Sequence, residues 1–330
     1  MDRKDIRKIA VFTSGGDAPG MNAAIRAVVR TAAYNKLHVY GIQRGYEGMI
    51  SGQIDRMERR DVANIMQRGG TILRTARSEE FRTPEGRKQA YNHLRAHDID
   101  ACVAIGGDGT FTGASIFSEE YDIPFIGVPG TIDNDIFGTD YTIGFDTAVN
   151  TAIEAVDKIR DTANSHNRLF FVEVMGRHSG YIALYTAIGS GASSVLIPEA
   201  KTNLEDLREV LRRNRARGKL FSVVIVAEGH EMGGAAGIAA QIEGDMELAS
   251  MEPKVTVIGH LQRGGSPTAA DRLLASQLGH GAVNLLLDGK ENVAVGMVNH
   301  QLTCCSLHDA ISKSKIPPEK LVEMASILAI

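Results

Sequence analysis

Ala101-Cys102-Val103-Ala104-Ile105-Gly106-Gly107-Asp108-Gly109-Thr110 decides how this chain is read. The run up to Ile105 is short and wholly apolar, the signature of a strand buried on both faces. Gly106 and Gly107 then turn the chain, and a helical stretch opens beyond Asp108. A strand that passes through a glycine-containing turn into a helix is the repeating unit of a parallel α/β sheet. The same unit recurs in both directions along the chain. Ile9–Phe12, Pro124–Val128, Leu169–Val174, Val195–Ile197, Phe221–Val226 and Val255–Ile258 read as further buried parallel strands. Helical stretches run between them, at Asn22–Asn35, Gly86–His97, Thr147–Ala163, Asn203–Arg217 and Ala269–Leu287. The expectation is an α/β fold with crossover connections, and open sheets of that kind bind ligands outside the carboxyl ends of their strands.

At 330 residues, 43% of them hydrophobic, the chain can bury a core for one large domain or two smaller ones. A net charge of -4 gives no whole-protein reason to bind nucleic acid or an anionic membrane, and favours small-molecule partners. Cys102, Cys304 and Cys305 make no disulfide or metal framework, which fits a reducing cytoplasm. The charged start, Met1 to Lys8, leads into only a short apolar run and reads as neither signal peptide nor membrane anchor.

The turns at the strand ends carry the chemistry. Thr13-Ser14-Gly15-Gly16-Asp17-Ala18-Pro19-Gly20-Met21-Asn22 opens a helix, so its backbone N–H groups can approach a phosphate. It is neither GxGxxG nor a Walker motif, and by itself such a turn is as often a tight strand-to-helix connection. In the turn after Ile105, Asp108 offers a hard oxygen ligand suited to Mg²⁺ beside phosphates, or else caps the helix. Val128-Pro129-Gly130-Thr131-Ile132-Asp133-Asn134-Asp135 carries two carboxylates two residues apart. In an extended segment they would face one pocket as base and support; a pair of Asx-turn formers is the alternative. Val174-Met175-Gly176-Arg177-His178-Ser179-Gly180 and Gly259-His260-Leu261-Gln262-Arg263-Gly264-Gly265-Ser266-Pro267 add arginine forks suited to phosphates. A lone Arg there would be a surface ion pair and a lone His a structural residue. With Arg77, Arg168 and Lys254, the set suggests phosphoryl transfer to a phosphorylated hydroxyl substrate.

Taken jointly and in this order, Gly15–Asn22, Gly106–Thr110, Pro129–Asp135, Met175–Arg177 and His260–Gly265 resemble the bacterial-type ATP-dependent 6-phosphofructokinases, from about Ile9 to about Val298. The resemblance implies two doubly wound, three-layer α/β domains with largely parallel sheets. Residues 1–144 plus about 263–310 would bind nucleotide, and residues 145–262 plus about 311–330 would bind sugar phosphate. It implies transfer of the γ-phosphoryl group of ATP to the 1-hydroxyl of fructose 6-phosphate, giving fructose 1,6-bisphosphate and ADP in glycolysis. Gly16, Arg77, Ser78, Gly107, Asp108, Gly109 and Thr110 would line the ATP site, with Mg²⁺ at Asp108. Asp133 would be the general base, with Thr131 and Asp135 supporting it and Arg77 and Arg177 offsetting charge. Thr131, Ile132, Asp133, Met175, Gly176, Arg177 and Glu228 would position the sugar. Arg168, Lys254, His260 and Arg263 would hold its 6-phosphate, Arg168 and Lys254 reaching in from a neighbour in a cytoplasmic homotetramer.

Pyrophosphate-using relatives carry Asp and Lys where this chain has Gly109 and Gly130, so the two glycines favour ATP. Gly113, one turn beyond Gly109, reads equally as nucleotide room or as helix packing. Lys254 replaces a common Arg, and Arg74 stands where Gly is common. Arg26, Arg30, Arg59, Arg160, Arg217 and Lys219 match positions that bind ADP or phosphoenolpyruvate, implying allosteric control. Each arginine singly also reads as a solvated helix residue. Ser193 stands where the family often has a Glu that helps hold the magnesium of activating ADP, and Leu220 where a second Lys occurs. A pyrophosphate-dependent enzyme is the alternative within the family. Lipid or NAD kinases share a Gly-Gly-Asp-Gly turn without reason for the Asp133 and His260 segments. A catalytically silent regulatory paralogue would have lost Asp108, Asp133 or Arg177, and all three are present.

Overall fold

The computed structural model describes residues 6–163, 168–201, 203–219 and 221–329, so Leu220 lies outside the described residues. Contacts divide the chain into two units. One comprises Met1–Ile132, Ile136–Thr147 and Arg263–Lys315; the other comprises Asp133–Asp135, Ala148–Gln262 and Ile316–Ile330.

The strands, in chain order, are β1 (Lys8–Thr13), β2 (His38–Ile42), β3 (Ile54–Met57), β4 (Ala101–Gly106), β5 (Phe125–Pro129), β6 (Leu169–Val174), β7 (Ser194–Leu196), β8 (Ser222–Ala227), β9 (Lys254–Val257), β10 (Val293–Val298) and β11 (Gln301–Ser306). The first unit holds a seven-stranded sheet in the order β11-β10-β5-β4-β1-β2-β3. Its interior pairs are parallel, and only the edge strands β3 and β11 run antiparallel to their neighbours. β1 and β4 lie side by side at the centre, in register from Ile9↔Ala101 to Thr13↔Ile105. Chain order reverses between them, which leaves a crevice at their carboxyl ends. Phe12, Phe111, Phe117 and Phe125 fill the core, with Tyr46 stacked on Phe81 at 4.0 Å between ring centroids.

The second unit holds a four-stranded parallel sheet, β7-β8-β6-β9. Leu169, Phe171, Val224, Val226 and Ile238 are buried in its core. The expectation of a buried strand at Val255–Ile258 is corrected here. β9 is an edge, paired on one side only, and leaves Val255 40% and Val257 59% exposed. Among the described residues no helix is long and apolar enough to cross a membrane.

Candidate active site

In the first unit three turns meet at the carboxyl ends of β1, β4 and β5. The ladder runs past the strand ends: Ser14 N donates to Ile105 O at 3.0 Å, and Gly130 N to Gly106 O at 3.0 Å. The first helix starts at Met21 after Gly20, whose φ of 107° is left-handed. Gly16 is exposed, and Arg263 covers it, so closely that a methyl group on Gly16 would lie 2.6 Å from Arg263 Nη1. Asn22 serves the scaffold: 1% exposed, it donates to Arg68 O at 3.0 Å and accepts from Ile72 N at 2.8 Å. The segment that carries Arg74, Arg77 and Ser78 is thereby tied down. Arg77 is exposed, and Ser78 Oγ accepts from Phe81 N at 3.3 Å. Arg74 keeps a left-handed φ of 58°, which explains why glycine suits that position.

The helix Asp108–Tyr121 is capped by Gly107, so Asp108 occupies its first helical position with its side chain exposed. A carboxylate there faces the positive end of the helix dipole. Thr110 is 2% exposed, and its Oγ1 has no hydrogen-bond partner among the described residues. Gly109 has an ordinary φ, and a methyl group on it would meet no atom within 4 Å. Gly113 is explained by packing instead, because its methyl position lies 2.9 Å from the Tyr46 ring. Thr131 adjoins this turn, its Cβ 3.6 Å from the Cβ position of Gly107, and its carbonyl accepts from Thr142 Oγ1 at 2.6 Å.

The expectation that Asp133 and Asp135 lie in an extended segment is corrected. Gly130 pairs with Ile143, the chain turns at Ile132 and Asp133, and Asn134 adopts a left-handed φ of 53°. The backbone departs from a regular strand here, yet burial still alternates along it. Ile132 is buried and Asn134 is 1% exposed, whereas Asp133 and Asp135 are half-buried.

In the second unit the expected sugar residues share one end of the sheet. Met175, Gly176 and Arg177 follow β6, Glu228 follows β8, and His260 follows β9. Gly176 has a φ of 127°, turning the chain so that Arg177 is exposed. Gly229 permits its backbone to rest on Arg177, since a methyl group there would lie 1.7 Å from Arg177 O. Ser179, 2% exposed, donates from Oγ to Asp133 O at 2.6 Å and so ties the aspartate segment to the arginine turn. Burial lowers the pKa of the neighbouring His230.

Arg168 and Lys254 lie at the other end, beside the amino ends of β6 and β9. Both pair with Glu252, at 3.5 and 3.8 Å. Glu252 was missed in the sequence, and Ser179 and Gln262 were read only as members of their turns, because nothing about a Glu, Ser or Gln announces a long-range partner. Of the effector set, Arg26 and Arg30 lie one turn apart on the helix Met21–Tyr34. Arg59 lines a pocket of about 590 Å³ with Lys36, His38, Arg56 and Arg60. Arg160 donates to Ser190 O, and Lys219 Nζ donates to the buried Ser193 hydroxyl at 3.0 Å. Burial, then repulsion from Arg160, lowers the pKa of Lys219; Arg217 is exposed.

Residues 8–286 match the family model described as phosphofructokinase. The chain belongs to the phosphofructokinase family. ATP-dependent 6-phosphofructokinase 1 of Thermus thermophilus is 55% identical over 325 residues, covering 98% of this chain and 100% of the relative. The ATP-dependent 6-phosphofructokinase of Cytophaga hutchinsonii is 52% identical, covering 98% of each. The phosphofructokinase of Saccharomyces cerevisiae superposes with a TM-score of 0.88 at 36% identity, covering 98% of this chain and 48% of the yeast chain. This chain therefore spans about half the length of that one. A pyrophosphate-dependent phosphofructokinase from Marinobacter aquaeolei superposes with a TM-score of 0.83 at 25% identity, covering 96% of this chain and 86% of its own. The fold is the phosphofructokinase fold, two α/β units with largely parallel sheets.

Proposed function

We propose that this phosphofructokinase transfers the γ-phosphoryl group of ATP to the 1-hydroxyl of fructose 6-phosphate. The observation that carries the donor assignment is Gly109. Neither its φ nor its packing demands glycine, so the space beside it serves something outside the chain. At the mouth of a helix N-terminus, that is room for nucleotide phosphates. The named ATP-dependent relatives, 55% and 52% identical across 98% of this chain, support the same reading.

The first unit holds the nucleotide, with Gly16, Arg77, Ser78 and Gly107 through Thr110 around it, and the second holds the sugar phosphate. Mg²⁺ fits Asp108: a single exposed carboxylate at the first helical position suits an ion that keeps phosphates and waters as its other ligands. Among the described residues no cluster of three or more His, Cys, Asp or Glu offers an all-protein cage, which such an ion does not require. When bound, the ion supplies positive charge to the β- and γ-phosphates. Asp133 takes the proton from the 1-hydroxyl as its oxygen attacks phosphorus in line. Arg77 and Arg177, both exposed, offset charge on the group in transfer. Met175, Gly176 and Glu228 orient the sugar, while His260 and Arg263 face its phosphate.

Arg168 and Lys254 act on a second copy. They lie at the opposite end of β6 from Met175, about 20 Å away at the rise of a parallel strand. Their own chain's sugar residues are out of their reach. The exposed Val255 and Val257 on the edge strand give the copies an apolar surface to share. The assembly we propose is a cytoplasmic homotetramer, with a phosphorylated effector bound by the Arg26, Arg30, Arg59, Arg160, Arg217 and Lys219 set. Asp133→Ser is expected to lower turnover at least about 10²-fold while sparing ATP binding. Turnover retained by the purified variant would reject Asp133 as the base.

A further inference from the structure

We infer that Gln262 is a positioning residue that extends the central ladder of the second sheet by one bond, fixing the first residue of the Met175–Arg177 turn. The inference rests on the phosphofructokinase reading of that turn. Gln262 lies in the short helical turn Gly259–Arg263, where His260 is exposed and Leu261 is 71% exposed. Gln262 itself is 0% exposed. The ordinary pattern is reversed, with the leucine in solvent and the amide inside. Burying an amide is costly unless both its ends are bonded.

Both ends of Gln262 are bonded. Oε1 accepts from Met175 N at 2.8 Å, and Nε2 donates to Ala148 O in a longer contact of 3.4 Å. The reason lies in strand lengths. β9 ends at Val257, and the last ladder bond it offers β6 is Ile258 N to Glu173 O at 3.0 Å. On the other side β8 reaches Val174, through Glu228 N to Val174 O at 2.9 Å. Met175 N–H would be the first buried donor beyond the edge strand. The Gln262 amide takes the place of the missing strand residue.

Past Met175 the chain swings through Gly176 and presents Arg177. An error in the Met175 amide is passed directly to the groups that hold the sugar and the transferring phosphoryl group. Misplacement of reacting groups by about 1 Å can cost on the order of 10²-fold in rate. Gln262 touches neither ligand in this account, so its effect belongs in kcat rather than in nucleotide binding.

Gln262→Met keeps the volume and removes both amide contacts; Gln262→Glu keeps an oxygen where Met175 needs one. We expect Gln262→Met to lower kcat roughly 10- to 100-fold with the KM for ATP within about twofold. Gln262→Glu should fall between it and the parent. Amide hydrogen exchange should quicken in the peptide spanning residues 174–180 of Gln262→Met and not across the unit as a whole. A kcat for Gln262→Met within twofold of the parent overturns the inference. So does exchange that rises uniformly across the second unit, which marks Gln262 as a general core residue. If the parent enzyme itself turned over no fructose 6-phosphate, the functional reading would fall, while exchange at residues 174–180 would still decide whether Gln262 holds Met175.

Discussion

A side chain at Gly109 would project into open space, whereas one at Gly130 would press on Ile105 Cγ2 at 3.0 Å and Met21 Cε at 3.2 Å. A substitution at Gly130 would therefore move its neighbours as well as alter the donor site, and Gly109 is the cleaner test of donor choice. Gly109→Asp is expected to raise the KM for ATP at least about tenfold through repulsion of the phosphates, with no change in melting temperature. An unchanged KM would remove the ATP argument from this residue; a fallen melting temperature would show hidden packing there. Gly106 behaves oppositely, because a methyl group there would meet Ser14 O at 2.6 Å and Thr110 Oγ1 at 2.3 Å. The sequence made both residues glycines of one turn. Only the packing around them distinguishes a glycine the fold requires from one it does not. The same holds for Gly113, whose neighbour Tyr46 lies far away in sequence.

At the scale of elements, buried strands were legible and edges were not. The runs behind β1, β4 and β5 are apolar throughout, and that behind β6 is interrupted only by Glu173, since both faces are largely covered. β2 and β3 mix exposed with buried residues and β11 buries none fully, so these three lack a continuous apolar run; β10, Val293–Val298, is apolar throughout and was missed despite that signal. The sequence left the aspartate segment open between an extended run and a turn for a related reason: the Gly130–Ile143 bridge just beyond β5 is a tertiary contact, without a local signal. One helix pair shows how charge enters the core. Arg87 Nε and Nη2 donate to the two oxygens of Glu120, each at 2.6 Å, joining the helices Pro84–Ala96 and Asp108–Tyr121. Hydrogen bonds from Arg87 hold the Glu120 carboxyl below the usual glutamate range. A depressed carboxyl stabilises the fold above its unfolded pKa and loses that contribution as pH falls through its folded value. Arg87→Met is thus expected to cost about 1–2 kcal/mol at pH 7, the value reduced for solvent screening of Glu120. Urea midpoints should show the gap narrowing below the ordinary glutamate range; a gap that widens there would contradict the pairing.

At the scale of the molecule, Arg168 and Lys254 stand at the amino ends of their strands, and the proposal is that each chain lends these cations to another copy. Complementation tests this directly. Asp133→Ser chains keep their cations, and chains carrying Arg168→Ala and Lys254→Ala keep their base. Each alone should be nearly inactive, and co-expressed mixtures should recover activity, because a hybrid site combines one intact base with the other chain's intact cations. Mixtures as inactive as their components would refute the shared site. The family and its chemistry were legible in five turns read in order, but the cation geometry required the sheet. The central claim is the donor and acceptor. The most direct measurement supplies the purified enzyme with fructose 6-phosphate and either ATP or pyrophosphate, and follows fructose 1,6-bisphosphate. The account expects turnover with ATP and none above background with pyrophosphate; turnover with pyrophosphate alone would contradict it.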